Sequence, residues 1–142
     1  GLVNAQTVSG LEGFMGIRRA APNNDVTDSF YILSLGNGSI EYRFRNSTGT
    51  VVDITKSTLS ANTWYLVALV LDGGTLRAYL NNSETSDATV SGSLGITTLP
   101  FAIGRDGSNT NLLSGLAQHV AFFNRSLTAN EITRLAQIAG LA

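Results

Sequence analysis

The chain contains no cysteine. Disulfides, thiolate zinc sites and a cysteine nucleophile are therefore excluded, while the redox compartment stays open. Lysine is nearly absent, with Lys56 alone, and there is one histidine. Nine basic residues stand against ten acidic ones, for a formal net charge of −1. A nucleic-acid-binding domain would be basic, so nucleic acid is not an expected partner. Long apolar runs are missing too. The longest, Trp64 to Leu71, has eight residues, whereas a helix needs about 20 to cross a bilayer, so no membrane span is expected. No charged stretch followed by an apolar core opens the chain, so no signal peptide is expected within it. The start at Gly1 rather than Met implies a chain processed or excised from something longer. No repeat of about 20–50 residues is visible, which weighs against a propeller or solenoid.

What is present is turn-forming and β-forming. Ser, Thr, Asn and Gly supply 56 of the 142 residues. The length suits one domain with its own core, and the composition predicts an all-β fold. Strands are expected at Leu11 to Arg18, Ser29 to Leu35, Ser39 to Arg45 and Thr50 to Lys56. The third alternates Ile40, Tyr42 and Phe44 with Glu41, Arg43 and Arg45, which means one dry face and one wet face. Trp64 to Leu71 is apolar at every position, so a central strand buried on both faces is predicted there, with Trp64 in the core. Asp72-Gly73-Gly74 is a tight hairpin signal leading to a partner at Thr75 to Asn81. Further strands are expected at Thr85 to Val90, Phe101 to Gly104 and Leu116 to Phe123. Thr128-Ala129-Asn130-Glu131 is a capping box. Ile132, Leu135, Ala136 and Ala139 then fall on one helical face, and Gly140 suits the C-terminal cap. One short C-terminal helix docked outside a sandwich is the expectation.

Several segments in order resemble one family. Trp64 to Asn81 looks like the central hairpin of laminin-G-like domains, which belong to the concanavalin A-like lectin/glucanase jelly rolls. Ile103-Gly104-Arg105 resembles the start of a family strand, and Gly115 to Thr128 resembles the closing strand. Asn130-Glu131-Ile132 continues into the terminal helix, and the resemblance covers residues 28–138. It implies a two-sheet antiparallel jelly-roll β-sandwich with one short C-terminal α-helix. The domain is placed at residues 10–142, with residues 1–9 as an N-terminal segment or arm. In that arm Leu2, Val3, Ala5 and Val8 could add to a neighbouring chain's sheet edge. His119 stands where the family commonly has an acidic residue, so no role of that carboxylate carries over.

Fold does not fix function, so the residues must be weighed. Enzymatic members of the wider superfamily use two carboxylates on one strand. No strand here carries such a pair, and Glu41 stands between serine and arginine neighbours on its face. His119 with many serines suggests no triad without a nucleophile-elbow motif. Catalysis is not expected. Calcium is the one cofactor to weigh. The loop Asp106 to Asn111 offers one carboxylate, and a second would come from Asp25 or Asp28. Calcium sites usually hold more charge, so a self-bonded Asx-turn is preferred there and no cofactor is expected. For a ligand, Tyr79 is the best exposed aromatic, with Arg77 and Asn81 on its face; Arg105, Asp106 and Asn109 form a second group on the rim. Arg43, Arg45, Arg77 and Arg105 give a partly basic sheet face, whose default reading is a solvated one. Asn-x-Ser/Thr triplets at Asn37, Asn46, Asn81 and Asn124 arise readily by chance in this composition and say little about secretion.

The expected function is a non-catalytic structural or adhesion module at an extracellular or virion surface. It would belong to a larger assembly, such as a phage or viral decoration or fibre protein, with a glycan or protein surface as partner. The alternative is a monomeric lectin-like module of a secreted or cell-surface protein.

Overall fold

The apolar run becomes β6 (Thr63–Asp72), and both of its faces are covered. Tyr65, Val67, Leu69 and Leu71 pack on one apolar cluster with Ile40, Tyr42 and Leu76. Trp64, Leu66, Ala68 and Val70 pack on another with Ile132 and Ala136. Side chains alternate along a strand, so a strand apolar at every position needs a layer on each side. The protein, a computed structural model describing residues 1–17, 29–57, 59–95, 100–105 and 111–141, supplies both layers.

Two five-stranded antiparallel sheets stack as the expected jelly-roll sandwich. The first runs β10 (Gly115–Gln118), β1 (Leu2–Ala5), β6, β7 (Thr75–Leu80), β8 (Ser83–Thr89). The second runs β5 (Val51–Ser57), β4 (Ser39–Arg45), β3 (Phe30–Leu35), β2 (Leu11–Ile17), β9 (Ala102–Ile103). Between them lie the inward residues of β4 (Ile40, Tyr42 and Phe44), as their alternation predicted, with Phe14, Ile32 and Ile54. Tyr42 is fully buried, and its hydroxyl donates to the Tyr79 carbonyl at 2.8 Å, tying β4 to β7 across the sandwich. Burial pushes this phenol well above its ordinary pKa, so it remains a donor.

Turn chemistry fixes the register. Asp72 pairs with Thr75 across Gly73 and Gly74, whose φ values of 53° and 86° are those of a two-residue primed turn. The β4–β5 turn is organised by Asn46, whose buried Oδ1 accepts from the Thr48 and Thr50 N–H groups and the Thr48 hydroxyl. Its Nδ2 donates to the Ser91 carbonyl at 2.7 Å.

The outer face of β6 is closed by α1 (Ala129–Ile138), which buries Ile132 and Ala136. The predicted capping box is formed: Thr128 accepts from the Glu131 N–H, and Glu131 accepts from the Thr128 N–H. Arg125 adds a bidentate pair to the same carboxylate at 2.9 and 2.6 Å. These donors, Arg125 first, hold the Glu131 pKa down at about 2. At the other end Gly140 has φ 71°, its N–H bonds the Gln137 carbonyl, and the Leu141 N–H bonds that of Ala136. That is a Schellman closure, which satisfies two otherwise orphaned carbonyls.

Several expectations are corrected. Leu116 to Phe123 is not one strand: β10 stops at Gln118, and His119 has φ 52°. The reason lies in its partner, since Gln118 pairs with Leu2 and the β1 ladder then runs out. Asn81 leaves the β7 strand, with φ 58°, to turn the chain into β8. Phe101 and Gly104 fall outside the two-residue β9. Trp64 is half-buried on the helix side rather than in the core between the sheets. The segment 1–9 contributes β1, whose two edges pair with β10 and β6 of the same chain.

Two outcomes follow. Tyr42→Phe should lower the unfolding free energy by about 0.5–1.5 kcal/mol, because it removes the buried hydrogen bond that joins the two sheets. A urea titration should show a lower midpoint at unchanged slope. Glu131 lies below its ordinary value of 4.5 in the folded chain. Its contribution is therefore present above about pH 4.5 and is lost as pH falls toward 2. Glu131→Gln should remove that part of the acid dependence, followed through the α1 amide resonances in an acid titration.

Candidate functional site

The outer face of the first sheet is occupied by α1, whereas among the described residues no helix lies on the outer face of the second, where Tyr31 and Leu33 are only 3% and 1% accessible. There the register sets a row across four strands. Asp53 lies opposite Arg43, Arg43 opposite Tyr31, and Tyr31 opposite Gly16. At about 4.8 Å per strand the row is about 14 Å long. The next row holds Thr55, Glu41, Leu33 and Gly13.

The row is fixed by its own contacts. The Arg43 guanidinium donates twice to the Asp53 carboxylate, at 2.5 and 2.7 Å. It lies 5.1 Å over the Tyr31 ring and 4.0 Å from Glu41. The Tyr31 hydroxyl donates to Glu41 Oε1 at 2.8 Å. The hydrogen bond to Asp53 is the main reason Arg43 rises above its already high pKa. Tyr31 is buried beneath this network, while the Arg43 and Asp53 side chains remain 15% and 35% exposed. Gly16 keeps the far end of the row flat. A Cβ there would stand 2.5 Å from the Phe30 carbonyl oxygen and the Tyr31 Cα, and its φ is 148°. Arg105 lines a small cleft with Gly13, Gly16, Tyr31 and Leu33. Among the described residues Arg105 pairs with no carboxylate. Chemically, the face offers fixed carboxylate acceptors and a fixed guanidinium, with a second guanidinium at its edge. Such an array suits hydrogen bonding to a polyhydroxylated or anionic ligand.

The residues anticipated from sequence do not form one site. Tyr79 is buried, not exposed: only 2% of it is accessible, because it packs under α1 against Ile132 and Ala136. Its hydroxyl donates to Glu84 at 3.0 Å. Burial, with Glu84 beside it, raises its pKa. Arg77 is held between Asp72 at 3.3 Å and Glu84 at 3.8 Å. Asn81 is spent on the hairpin, its Oδ1 accepting from the Leu66 N–H at 3.0 Å. Arg77 and Tyr79 belong to the first sheet with Asn81 in the turn that follows them, and Arg105 lies beside the second. Asp106, Asn109 and Asp25 lie outside the described residues, as does Asp28. Among the described residues no group of three His, Asp or Glu could hold a metal. The chief participants missed in the sequence are Tyr31 and Asp53. Their signal lay in the hairpin count: with Arg45 opposite Val51, the pairing of Arg43 with Asp53 follows.

The two-sheet sandwich has counterparts among known structures. The carbohydrate-binding module (CBM40) of a Ruminococcus gnavus IT-sialidase, solved bound to α2,3-sialyllactose, superposes with a TM-score of 0.72 at 13% identity. The match covers 95% of this chain and 79% of that one. The receptor-binding domain of botulinum neurotoxin type G superposes with a TM-score of 0.61 at 13% identity, over 97% of this chain. This chain spans 36% of that domain's length. At these identities the likeness is one of fold. Among curated protein sequences none matches. The family model described as concanavalin A-like lectin/glucanases, of laminin G type, matches residues 8–133, and the chain therefore belongs to that superfamily.

Proposed function

We propose that the chain is a non-catalytic adhesion module that binds carbohydrate on the outer face of the second sheet. The observation that carries this reading is the prebuilt row Asp53–Arg43–Tyr31, extended by Glu41 and Arg105, on the sandwich face that no helix covers among the described residues. Groups already held in place lose little entropy on binding. The carbohydrate-binding module with the same fold, solved with sialyllactose, supports an acidic glycan as the class to try first. The toxin receptor-binding domains support a role in surface attachment. Absence of catalysis is supported by the carboxylates themselves, since Glu41 and Asp53 are engaged by Tyr31 and Arg43. Placement at an extracellular or virion surface, within an assembly such as a phage or viral fibre or decoration, is part of the same proposal. It rests on composition and awaits a solution-mass measurement.

The test is a titration with α2,3-sialyllactose and with lactose, with and without EDTA. Arg43→Ala and Arg105→Ala should each weaken sialyllactose binding about tenfold, a loss of ~1.4 kcal/mol. Arg77→Ala, on the opposite face, should leave it unchanged. A bidentate pair this exposed contributes at most about 1 kcal/mol to folding, so Asp53→Asn should disturb binding more than stability. Binding that EDTA leaves unchanged would set aside calcium held by Asp106 with Asp25. If neither sugar binds, or if both arginine variants bind as the parent does, the proposed site is wrong. Release of lactose from sialyllactose would show an enzyme instead.

A further inference from the structure

Three chain connections meet at the hairpin turn between β3 and β4. Gly36 packs so tightly on the β1–β2 connection that a Cβ there would stand 3.0 Å from the Gly10 carbonyl carbon and 3.1 Å from the Ser9 oxygen. The Gly38 N–H donates to the Val8 carbonyl at 3.4 Å. The Gly38 carbonyl accepts from the Leu59 N–H, in the β5–β6 connection, at 2.8 Å. Between these glycines Asn37 is exposed. Its Oδ1 accepts from the Ser39 N–H at 3.0 Å, which makes an Asx-turn.

Asn37 is the one asparagine in the sequence that glycine follows. A Cβ on the next residue shields its main-chain nitrogen, and Gly38 has none. The turn itself demands that glycine, whose φ is 76°. The Asx-turn closes a ring that contains both the Asn37 Cγ and the Gly38 nitrogen, so the side-chain amide is folded back toward that nitrogen. Attack of the nitrogen on Cγ would put negative charge on Oδ1, where the Ser39 N–H already donates, as an oxyanion donor does. The contact the nitrogen must give up, with Val8, is long for an N–H···O bond. Asn46 shows the opposite case. It is buried, and both ends of its amide are held by other groups.

We propose that Asn37 is a site of spontaneous covalent modification, losing ammonia to the Gly38 nitrogen in the folded chain and so unlocking this rim of the sandwich. Hydroxide takes the Gly38 proton, and the nitrogen bonds to Asn37 Cγ. The Cγ–Nδ2 bond breaks, and Nδ2 leaves as ammonia after taking a proton from water. A second water opens the resulting five-membered imide. Cleavage of the new N–Cγ bond gives aspartate at position 37, whereas cleavage of the original peptide bond gives isoaspartate. The balance is one water consumed and one ammonia released. Either product gains a negative charge. In isoaspartate the main chain also runs through Cβ and Cγ and is longer by one methylene. Gly38 then cannot keep its contacts with Val8 and Leu59 while Ser39 stays paired with Ser57. None of these atoms belongs to the Asp53–Arg43–Tyr31 row, so the site is independent of the glycan reading.

The test incubates the full chain at neutral and at mildly alkaline pH in water enriched in oxygen-18, then reads digests by mass and separates the aspartyl and isoaspartyl peptides. Asn37 should convert before every other asparagine, faster at the higher pH, with one heavy oxygen incorporated. The isoaspartyl chain, isolated by ion exchange, should exchange its Leu59 amide about tenfold faster than the parent. Asn37→Asp adds the charge but keeps the chain length and the acceptor for Ser39, so its Leu59 amide should stay slow. Survival of Asn37 in the folded chain, under conditions that convert a free peptide of residues 35–40, would overturn the proposal. Conversion of Asn124 ahead of Asn37 would do the same, as would an isoaspartyl chain whose Leu59 amide remains as slow as the parent's.

Discussion

β6 must be dry on both sides, and the rest of the molecule is arranged to keep it so. Each fully buried leucine or valine contributes about 1.5–3 kcal/mol relative to exposure. Leu66, Val67 and Val70 are buried from alternate sides, so losing either cover would expose an entire row. The second sheet protects the odd-numbered residues and α1 the even-numbered ones. The third layer is small because only one short stripe needs it, and ten residues of helix suffice. Tyr79 joins the layers: its carbonyl takes the Tyr42 hydroxyl from across the sandwich, while its ring lies beneath the helix.

That division of labour decides where a ligand can sit. A face closed by a helix has no room for a sugar, and the polar groups there are spent on one another, as Arg77 is with Asp72 and Glu84. Among the described residues no helix lies on the opposite face, and Glu41, Arg43 and Asp53 carry charge outward there, beside the buried Tyr31 and Leu33. The wet side of β4 is accordingly organised by cross-strand partners rather than left as independent solvated side chains. Arg43 touches three neighbours on two other positions of its strand pair and on β3, which gives the face a fixed geometry before any ligand arrives.

Much of this fold was legible in the sequence because it depends on local periods. The strict alternation of Ile40 to Arg45, the unbroken apolar run of β6, the Gly73-Gly74 turn and the Thr128–Glu131 box each specify their structure within a few residues. What was not legible depends on pairing partners far away in the chain. Leu116 to Phe123 reads as one strand, yet a strand continues only where a neighbour offers a ladder, and β1 ends first. Tyr79 alternates with polar residues as an exposed aromatic would, and only the docking of α1 over it makes it a core residue. Asp53 stands in a weakly patterned strand, and its importance appears once the Asn46 turn sets it opposite Arg43.

That same turn has a chemical consequence. Asn46-Ser47-Thr48 is a glycosylation sequon, and the nitrogen to which an oligosaccharide would be joined is the Asn46 Nδ2. In the folded chain this nitrogen donates to the Ser91 carbonyl, and the side chain is only 2% accessible. Asn37 and Asn124, by contrast, carry exposed side chains in the same triplet. At Asn46 the sugar would be joined to the buried nitrogen that holds Ser91, while the turn is held by the oxygen of the same amide. In a glycosylating compartment, transfer to Asn46 would therefore have to come before the chain closes over this side chain, whereas Asn37 and Asn124 would stay open to it afterwards.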